Sequence, residues 1–416
     1  MLFLDLIYRI YHYVEQYRVC RFAFRTLAKA ARTLSQMAMQ MCVHNGFINS
    51  DFSQEDFNKN KEILNRWEKE EPKSIRSMTW FVPAFGLPHA GIHNILEFVK
   101  YLLDKGVNIN LVLLGNAFDA QYSHYWIRKN EEFAWLGKAI IFENPRIAKL
   151  PHTDAGIATR CDTAYSLLKY NNTKSKFYFI QDDERLFFQD KAKRDLAEAT
   201  YRFGFIGITN AEALKAMYIK EFGGKAESYF PAPNHIEPAE DLTGKRIKRL
   251  FFYARPEPSN SRNGFTLGIG GLREIKKRHP EIEIVAAGSA ADFDDHGLKI
   301  KQLGQLPYSE LQEFYSSCDV GIYILLSKHT GVIPFELMAS GCAVLTNKRH
   351  YQQSYLRHME NCVMFDLTPS SIADAFDTLY DNAEIYTAIL AGGLDFIKRM
   401  PTLEQEMNRI YSFMLK

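Results

Sequence analysis

The sequence lacks any apolar run close to the ~20 residues that a membrane-crossing helix needs. Its first ten residues, MLFLDLIYRI, are apolar but interrupted by Asp5 and Arg9, so they do not make the unbroken apolar core of a signal peptide. Cysteine is scarce. Cys20, Cys42, Cys161, Cys318, Cys342 and Cys362 are scattered, with no CxxC pair and no histidine cluster at zinc spacing. Reduced, buried thiols in a cytosolic protein are the expectation. An excess of one charge is also missing. The 51 Lys and Arg against 49 Asp and Glu leave a net +2, which gives no field for nucleic acid. There is no internal repeat and no low-complexity tract. What remains is an ordinary globular composition, 46% hydrophobic and 24% charged, in a chain of 416 residues. That length exceeds one core and suits two domains.

One local imbalance stands out. Residues 1–42 hold Arg9, Arg18, Arg21, Arg25, Lys29 and Arg32 against Asp5 and Glu15, on a stretch whose apolar side chains recur at helical spacing. Residues 1–72 are therefore expected to be a helical extension that contacts an anionic membrane surface or an oligomer partner. Within it, 50–72 reads as charged and mostly exposed. From Met78 onward the pattern is strand, loop, helix, repeated. MTWFVPAF, VNINLVLLG, KFYFIQDD and FGFIGITN read as strands, and IHNILEFVKYLLDKG as a helix closed by Gly106. PAPNHIEPAED, with three prolines, reads as a linker. The alternation then restarts with KRLFFYAR, EIEIVAAG, VGIYILLS and CAVLTN as strands. This alternation implies parallel sheets covered on both faces. The expected fold is α/β, two doubly wound Rossmann-like domains facing a cleft: 73–238, then 239–398, with a helix at 399–416 crossing back to the first.

Ligands of open parallel sheets bind at the carboxyl ends of the strands. Arg255 ends one apolar run, and Arg262 lies on the loop that follows. Two arginines there can clamp a diphosphate. Another run ends at His329-Thr330-Gly331 and leads into a helix with Glu336, placed about one and a half turns in. Free N–H groups at a helix start suit phosphate oxygens, and a carboxylate can take both ribose hydroxyls. Each residue alone has a structural reading, as a surface ion pair, a helix-dipole partner or a turn former. Their recurrence at strand ends of one domain favours the ligand. Asp292-Phe293-Asp294 has the form of a metal-binding DxD, but its place reads as an exposed acidic loop, and no metal ligand is assigned. Asp182 and Asp183 follow a first-domain strand; a place in the cleft and helix capping both stay open. His89 and His93 flank Gly91 and are weak acceptor-side candidates.

The segments SKHTGVIPFELMASGCAVLTN and KRLFFYARPEPSNSRNGFTLGIGGL resemble the donor domain of family 4 glycosyltransferases, enzymes of the GT-B fold. GLPHAGIHNILEFVKYLLDKG and KFYFIQDDERLFF resemble a narrower group, the WsaF-type bacterial rhamnosyltransferases. The similarity runs from about residue 80 to 370. The resemblance implies Arg255 and Arg262 on the donor diphosphate, the Thr330, Gly331, Val332 and Ile333 backbone near the phosphates, and Glu336 on the ribose. It implies Gly304 near the base and Gly91 approaching the diphosphate or sugar. One departure is notable: family 4 carries a second glutamate that would fall at position 328, which is Lys328. His329 is expected to take over a sugar contact.

The implied function is transfer of a hexose, rhamnose from dTDP-rhamnose, to a bacterial surface glycan. The donor is a dTDP- or UDP-sugar, no cofactor or metal is required, and Arg255, Arg262 and His329 carry the catalysis. The partners expected are that donor, a glycan or lipid-linked glycan acceptor and the inner face of the plasma membrane, with no nucleic acid and no oligomeric state assigned. A nucleotide-sugar epimerase and a non-catalytic nucleotide-sugar-binding module stay open as alternatives on the same fold.

Overall fold

The computed structural model describes residues 52–71, 73–85, 90–256, 261–289, 292–348 and 355–416. The expected basic helices of 1–42 and the candidate His89 lie outside the described residues. By contacts the chain divides into two units. One comprises residues up to Phe179 with Phe203–Phe205; the other comprises Ile180–Arg202 with Ile206–Lys416.

Among the described residues the first unit opens with a helix that is mostly exposed, as expected for this part of the 1–72 extension. Helix α1 (Gln54–Lys69) begins with a capping box in which Ser53 and Asp56 satisfy each other's backbone N–H. Its inward stripe is narrow: Asn60, Ile63 and Trp67, at i, i+3 and i+7. Asn60 sends its amide to the Phe203 carbonyl at 2.7 Å, which places a polar group inside without orphaning it. The elements after it are β1 (Ser77–Pro83), α2 (Ala90–Asp104), β2 (Asn108–Leu114), α3 (Ala117–Lys129), β3 (Ile140–Glu143), β4 (Thr153–Ala158), α4 (Cys161–Lys169) and β5 (Thr173–Ile180). The last six residues of β1 are all buried, as a strand covered on both faces requires. Trp80, Phe98 and Phe179 form an aromatic cluster, with Phe98 and Phe179 centroids 5.2 Å apart.

The second unit continues with α5 (Lys191–Thr200), β6 (Ile206–Thr209), α6 (Glu212–Phe222) and β7 (Ala226–Ser228). After a stretch without helix or strand come β8 (Arg249–Tyr253), α7 (Phe265–Arg278), β9 (Glu283–Ala287), β10 (Lys301–Gln302), α8 (Leu311–Ser316), β11 (Val320–Tyr323), α9 (Ile333–Ala339), β12 (Ala343–Asn347), β13 (Val363–Phe365), α10 (Pro369–Tyr380), α11 (Ala383–Arg399) and α12 (Leu403–Met414). The Pro-rich stretch 231–241 holds neither helix nor strand, because proline removes the donors that either needs.

The strands form two sheets, ordered β3-β2-β1-β4-β5-β6-β7 and β10-β9-β8-β11-β12-β13. Every pairing with a described register is parallel. In β8 the side chains alternate faces: Leu250 and Phe252 join the core under α7 and α10, while Phe251 joins the core under α8 and α9. Burying Phe252 completely contributes about 1.5–3 kcal/mol. The second sheet reverses direction between β8 and β11, and such a switch point opens a crevice beyond the strand ends. Helix α12 lies beside β7: Glu406 accepts the Phe230 N–H at 2.9 Å, and Arg409 donates to the Ser228 carbonyl.

Candidate functional site

The crevice beyond β8 and β11 is built from three segments of the second unit. Arg255 leaves the end of β8 half-buried. Its Nη1 donates to the Tyr253 hydroxyl at 3.2 Å, and the guanidinium carbon stands 6.0 Å from that ring's centroid. Tyr253 in turn packs on Tyr323 at the end of β11, with centroids 5.7 Å apart. Arg262 sits in a short 3-10 turn, Ser261–Asn263. Its guanidinium lies over the Phe187 ring at 4.8 Å, its Nε is 2.8 Å from Asp182 Oδ2, and its carbonyl accepts the Leu326 N–H at 2.6 Å. The loop after β8 and the loop after β11 are thus stitched together, and both expected arginines reach this crevice.

The segment after β11 supplies the next group. Ser327 donates to Asp182 Oδ1, Lys328 Nζ donates to Asp183 Oδ2 at 3.0 Å, and His329 Nε2 is 3.3 Å from Asp182 Oδ2. Thr330 is 2% exposed, and its hydroxyl has no hydrogen-bond partner among the described residues. A buried orphan hydroxyl costs stability unless something fills its need. Gly331 has φ +71, and a Cβ there would stand 2.1 Å from the Tyr323 hydroxyl. Only glycine turns the chain at this place with Tyr323 beneath it. Val332 and Ile333 are buried as α9 begins. That helix has seven residues, too few for a strong dipole, so anion binding here depends on the arginines and loop N–H groups.

Glu336 is in the first turn of α9, nearer its start than its sequence position suggested, because the helix begins at Ile333. It is 2% exposed. Tyr315 hydrogen-bonds to it, and this buried phenol is pushed well above its ordinary pKa by burial first and by Glu336 second. His235 Nε2 is 3.2 Å from Glu336 Oε1 without the alignment of a hydrogen bond, and its ring packs on Tyr308 with centroids 4.0 Å apart. Gly304 turns with φ +76 and accepts the Gly288 N–H at 2.8 Å. It borders a small recess with Ala254, Ser289 and Asp292, so it opens onto the same strand ends as Arg255.

The acceptor-side candidates fall differently. His93 is 6% exposed, its ring against Phe133, and Gly91 lies in the first turn of α2. Asp183 precedes the 3-10 turn Glu184–Phe187 but makes no side-chain cap bond to it. The carboxylates of Asp182 and Asp183 instead face Arg262, Lys328 and His329 of the loops after β8 and β11, and Arg185. Burial raises both carboxyls, but His329 and Arg262 outweigh it at Asp182, and Arg185 and Lys328 at Asp183, so both lie below the usual carboxylate range. Asp292 and Asp294 are exposed; Asp294 accepts the His296 N–H, and the neighbouring Asp295 accepts those of Gly297 and Ile300. Among the described residues no group of three or more His, Cys, Asp or Glu could hold a metal ion.

Sequence reasoning missed Tyr253, Tyr323, Ser327, Tyr315, His235 and Phe187. The two tyrosines at strand ends had a signal, a polar-tipped side chain closing an apolar run. His235 had none, since the linker has no period. A cavity of about 430 Å³ lies at the opposite, amino end of the second sheet. There Arg249 pairs with Glu283 at 2.8 Å, and Asp319 accepts the Lys248 and Arg249 N–H groups.

Among known proteins, residues 248–377 match the family model described as WsaF, C-terminal domain. The chain is 30% identical over 356 residues to the O-antigen biosynthesis protein RfbC of Myxococcus xanthus. That match covers 82% of this chain, but the chain spans only 27% of that relative's length. In fold it resembles HepE of Anabaena, solved in complex with UDP and glucose, with a TM-score of 0.63 at 12% identity, over 81% of this chain and 99% of that one. Sucrose-phosphate synthase of Thermosynechococcus elongatus gives a TM-score of 0.63 at 11% identity, over 81% and 98%. The fold is GT-B, and residues 248–377 resemble the WsaF C-terminal domain in sequence.

Proposed function

We propose that the chain transfers a sugar from a nucleoside-diphosphate donor to a glycan acceptor, with the donor held at the strand ends of the second sheet. The observation that carries this is that Arg255 and Arg262 follow β8, and the orphan Thr330 hydroxyl follows β11, at the switch point of the second sheet, with the two loops joined by the Leu326 N–H to the Arg262 carbonyl. As the glycosidic bond breaks, charge builds on the leaving diphosphate. Two arginines and the loop N–H groups before α9 are poised to take it up. Glu336 would accept the ribose hydroxyls once the ligand displaces His235, and Gly304 would lie near the base. His329 is assigned to the sugar. Of the acceptor-side candidates, the buried His93 and the cation-bound Asp182 and Asp183 are not assigned acceptor contacts.

The finer reading is rhamnose from dTDP-rhamnose, without a metal, into a bacterial surface glycan. It is supported by the WsaF-type domain and by the relative named for O-antigen biosynthesis. Domain boundaries at 72, 238 and 398 belong to this proposal, as does a peripheral seat of the basic residues 1–42 on the cytoplasmic membrane face. Among the described residues no helix is long and apolar enough to cross a membrane. The test is nucleotide release from dTDP-rhamnose and UDP-glucose in EDTA, with and without a rhamnan or lipid-linked glycan acceptor. Acceptor-dependent release supports transfer. Sugar interconversion without an acceptor indicates an epimerase, and binding without turnover a non-catalytic module.

A further inference from the structure

Asp182 stands two residues beyond β5 and is 5% exposed. Its two oxygens receive four groups. Oδ1 accepts from the Ser327 hydroxyl and from the Asp183 N–H at 2.8 Å; Oδ2 is 2.8 Å from Arg262 Nε and 3.3 Å from His329 Nε2. Removing one partner from a buried ion pair leaves an uncompensated charge, one of the costlier changes in a protein interior. An anion arriving at Arg262 therefore does not displace Asp182. It meets a guanidinium already gripped at Nε and flanked by the Phe187 ring, which still has its terminal N–H donors to offer. The same carboxylate fixes His329, so one side chain sets the direction of two cationic groups on separate loops.

We propose that Asp182 is a positioning residue for the donor diphosphate, holding Arg262 and His329 in the geometry that receives it. This rests on the donor reading above. It also opposes what charge alone dictates. Asp182 is a negative charge beside an anion site, so neutralising it should tighten anion binding by Coulomb's law. If position dominates, neutralising it weakens binding.

The probes are UDP and dTDP, titrated calorimetrically into the full chain: wild type, Asp182→Asn, Arg262→Lys and the double variant. Asp182→Asn should weaken the better ligand by at least ~10-fold, about 1.4 kcal/mol. Because both residues act through one contact, the double variant should fall within about threefold of the weaker single. Unchanged or tighter binding in Asp182→Asn, or losses that multiply in the double variant, would overturn the proposal. Should Asp182→Asn show no cooperative melting, Ser327→Ala takes its place; it loosens the same carboxylate and should weaken binding roughly two- to fivefold. Unchanged binding there overturns the proposal equally. A wild type that binds neither nucleotide sinks the donor reading together with this inference. A wild type that binds, beside an unchanged variant, sinks the inference alone.

Discussion

The ammonium of Lys328 stands 3.0 Å from a carboxylate oxygen of Asp183, a residue 145 positions earlier in the chain. Position 328 is where the family 4 resemblance expects a glutamate. A glutamate here would face a buried carboxylate already shared with Arg185. Lys328→Glu should therefore destabilise the protein by about 2 kcal/mol or more. Adding Asp183→Asn, which removes the like charge without setting a cation against Arg185, should recover part of that loss. Chemical denaturation of the two single variants and the double variant measures it; additive losses would mean that the two side chains do not act as a pair.

Arg255→Ala should lower kcat by about 100- to 1000-fold while raising KM much less, since the leaving diphosphate gains charge only as the bond breaks. Steady-state kinetics with the active donor checks this. A rise in KM at constant kcat would make Arg255 a ground-state binder instead.

Glu336→Gln should weaken nucleoside diphosphates by on the order of 1.5–3 kcal/mol, the range for a charged hydrogen bond. The matched 2′,3′-dideoxy nucleotide, which offers neither ribose hydroxyl, should lose little in the variant. Equal losses for both nucleotides would place Glu336 in a structural role with His235 and Tyr315.

Gly331→Ala should be damaging for two separable reasons: φ +71 and the Tyr323 hydroxyl 2.1 Å from the new Cβ. The backbone strain alone is of order 1–3 kcal/mol. Adding Tyr323→Phe removes the hydroxyl overlap, leaving the ring carbon at 2.9 Å, but does not touch the strain, so thermal melting should show partial rescue. Complete rescue, or none, would put the whole effect on one cause.

Lys176 is fully buried in β5, where Nζ donates to the Leu168 carbonyl at 2.9 Å. Burial pushes it down to about 7. Between that value and the usual ~10.4 the unfolded lysine is charged while the folded one is neutral, so stability rises with pH across that window. Lys176→Met should stabilise the protein by on the order of a few kcal/mol at pH 7 or below, with the gain vanishing as pH approaches 10.4. Denaturation at pH 7 and at pH 10 compares the two; a gain independent of pH would contradict buried-charge cost as the cause.

The parallel sheets were legible because KRLFFYAR, VGIYILLS and CAVLTN are short apolar runs between helical periods, a local signal. The positions of Arg255 and Arg262 beyond β8, and of Glu336 in the helix after β11, were legible because each follows an apolar run. Helix α1 was legible only as part of a helical extension; its bounds and inward stripe were not, since only Ile63 and Trp67 mark that stripe in an otherwise charged segment. The engagement of Asp182 with Arg262 and His329 was not legible either. It joins segments separated by 80 and 147 residues, and no local period encodes a contact made by tertiary folding.

The most direct test of the central claim is a thermal-shift panel in EDTA with UDP, dTDP, GDP, their sugars, and AMP as a monophosphate control. At 100 times its Kd, one nucleoside diphosphate should stabilise the wild type by about 2.7 kcal/mol. That shift should disappear in Arg255→Ala/Arg262→Ala, and AMP should give none. A wild type that no nucleoside diphosphate stabilises, or a shift that survives loss of both arginines, would contradict a donor site at these strand ends.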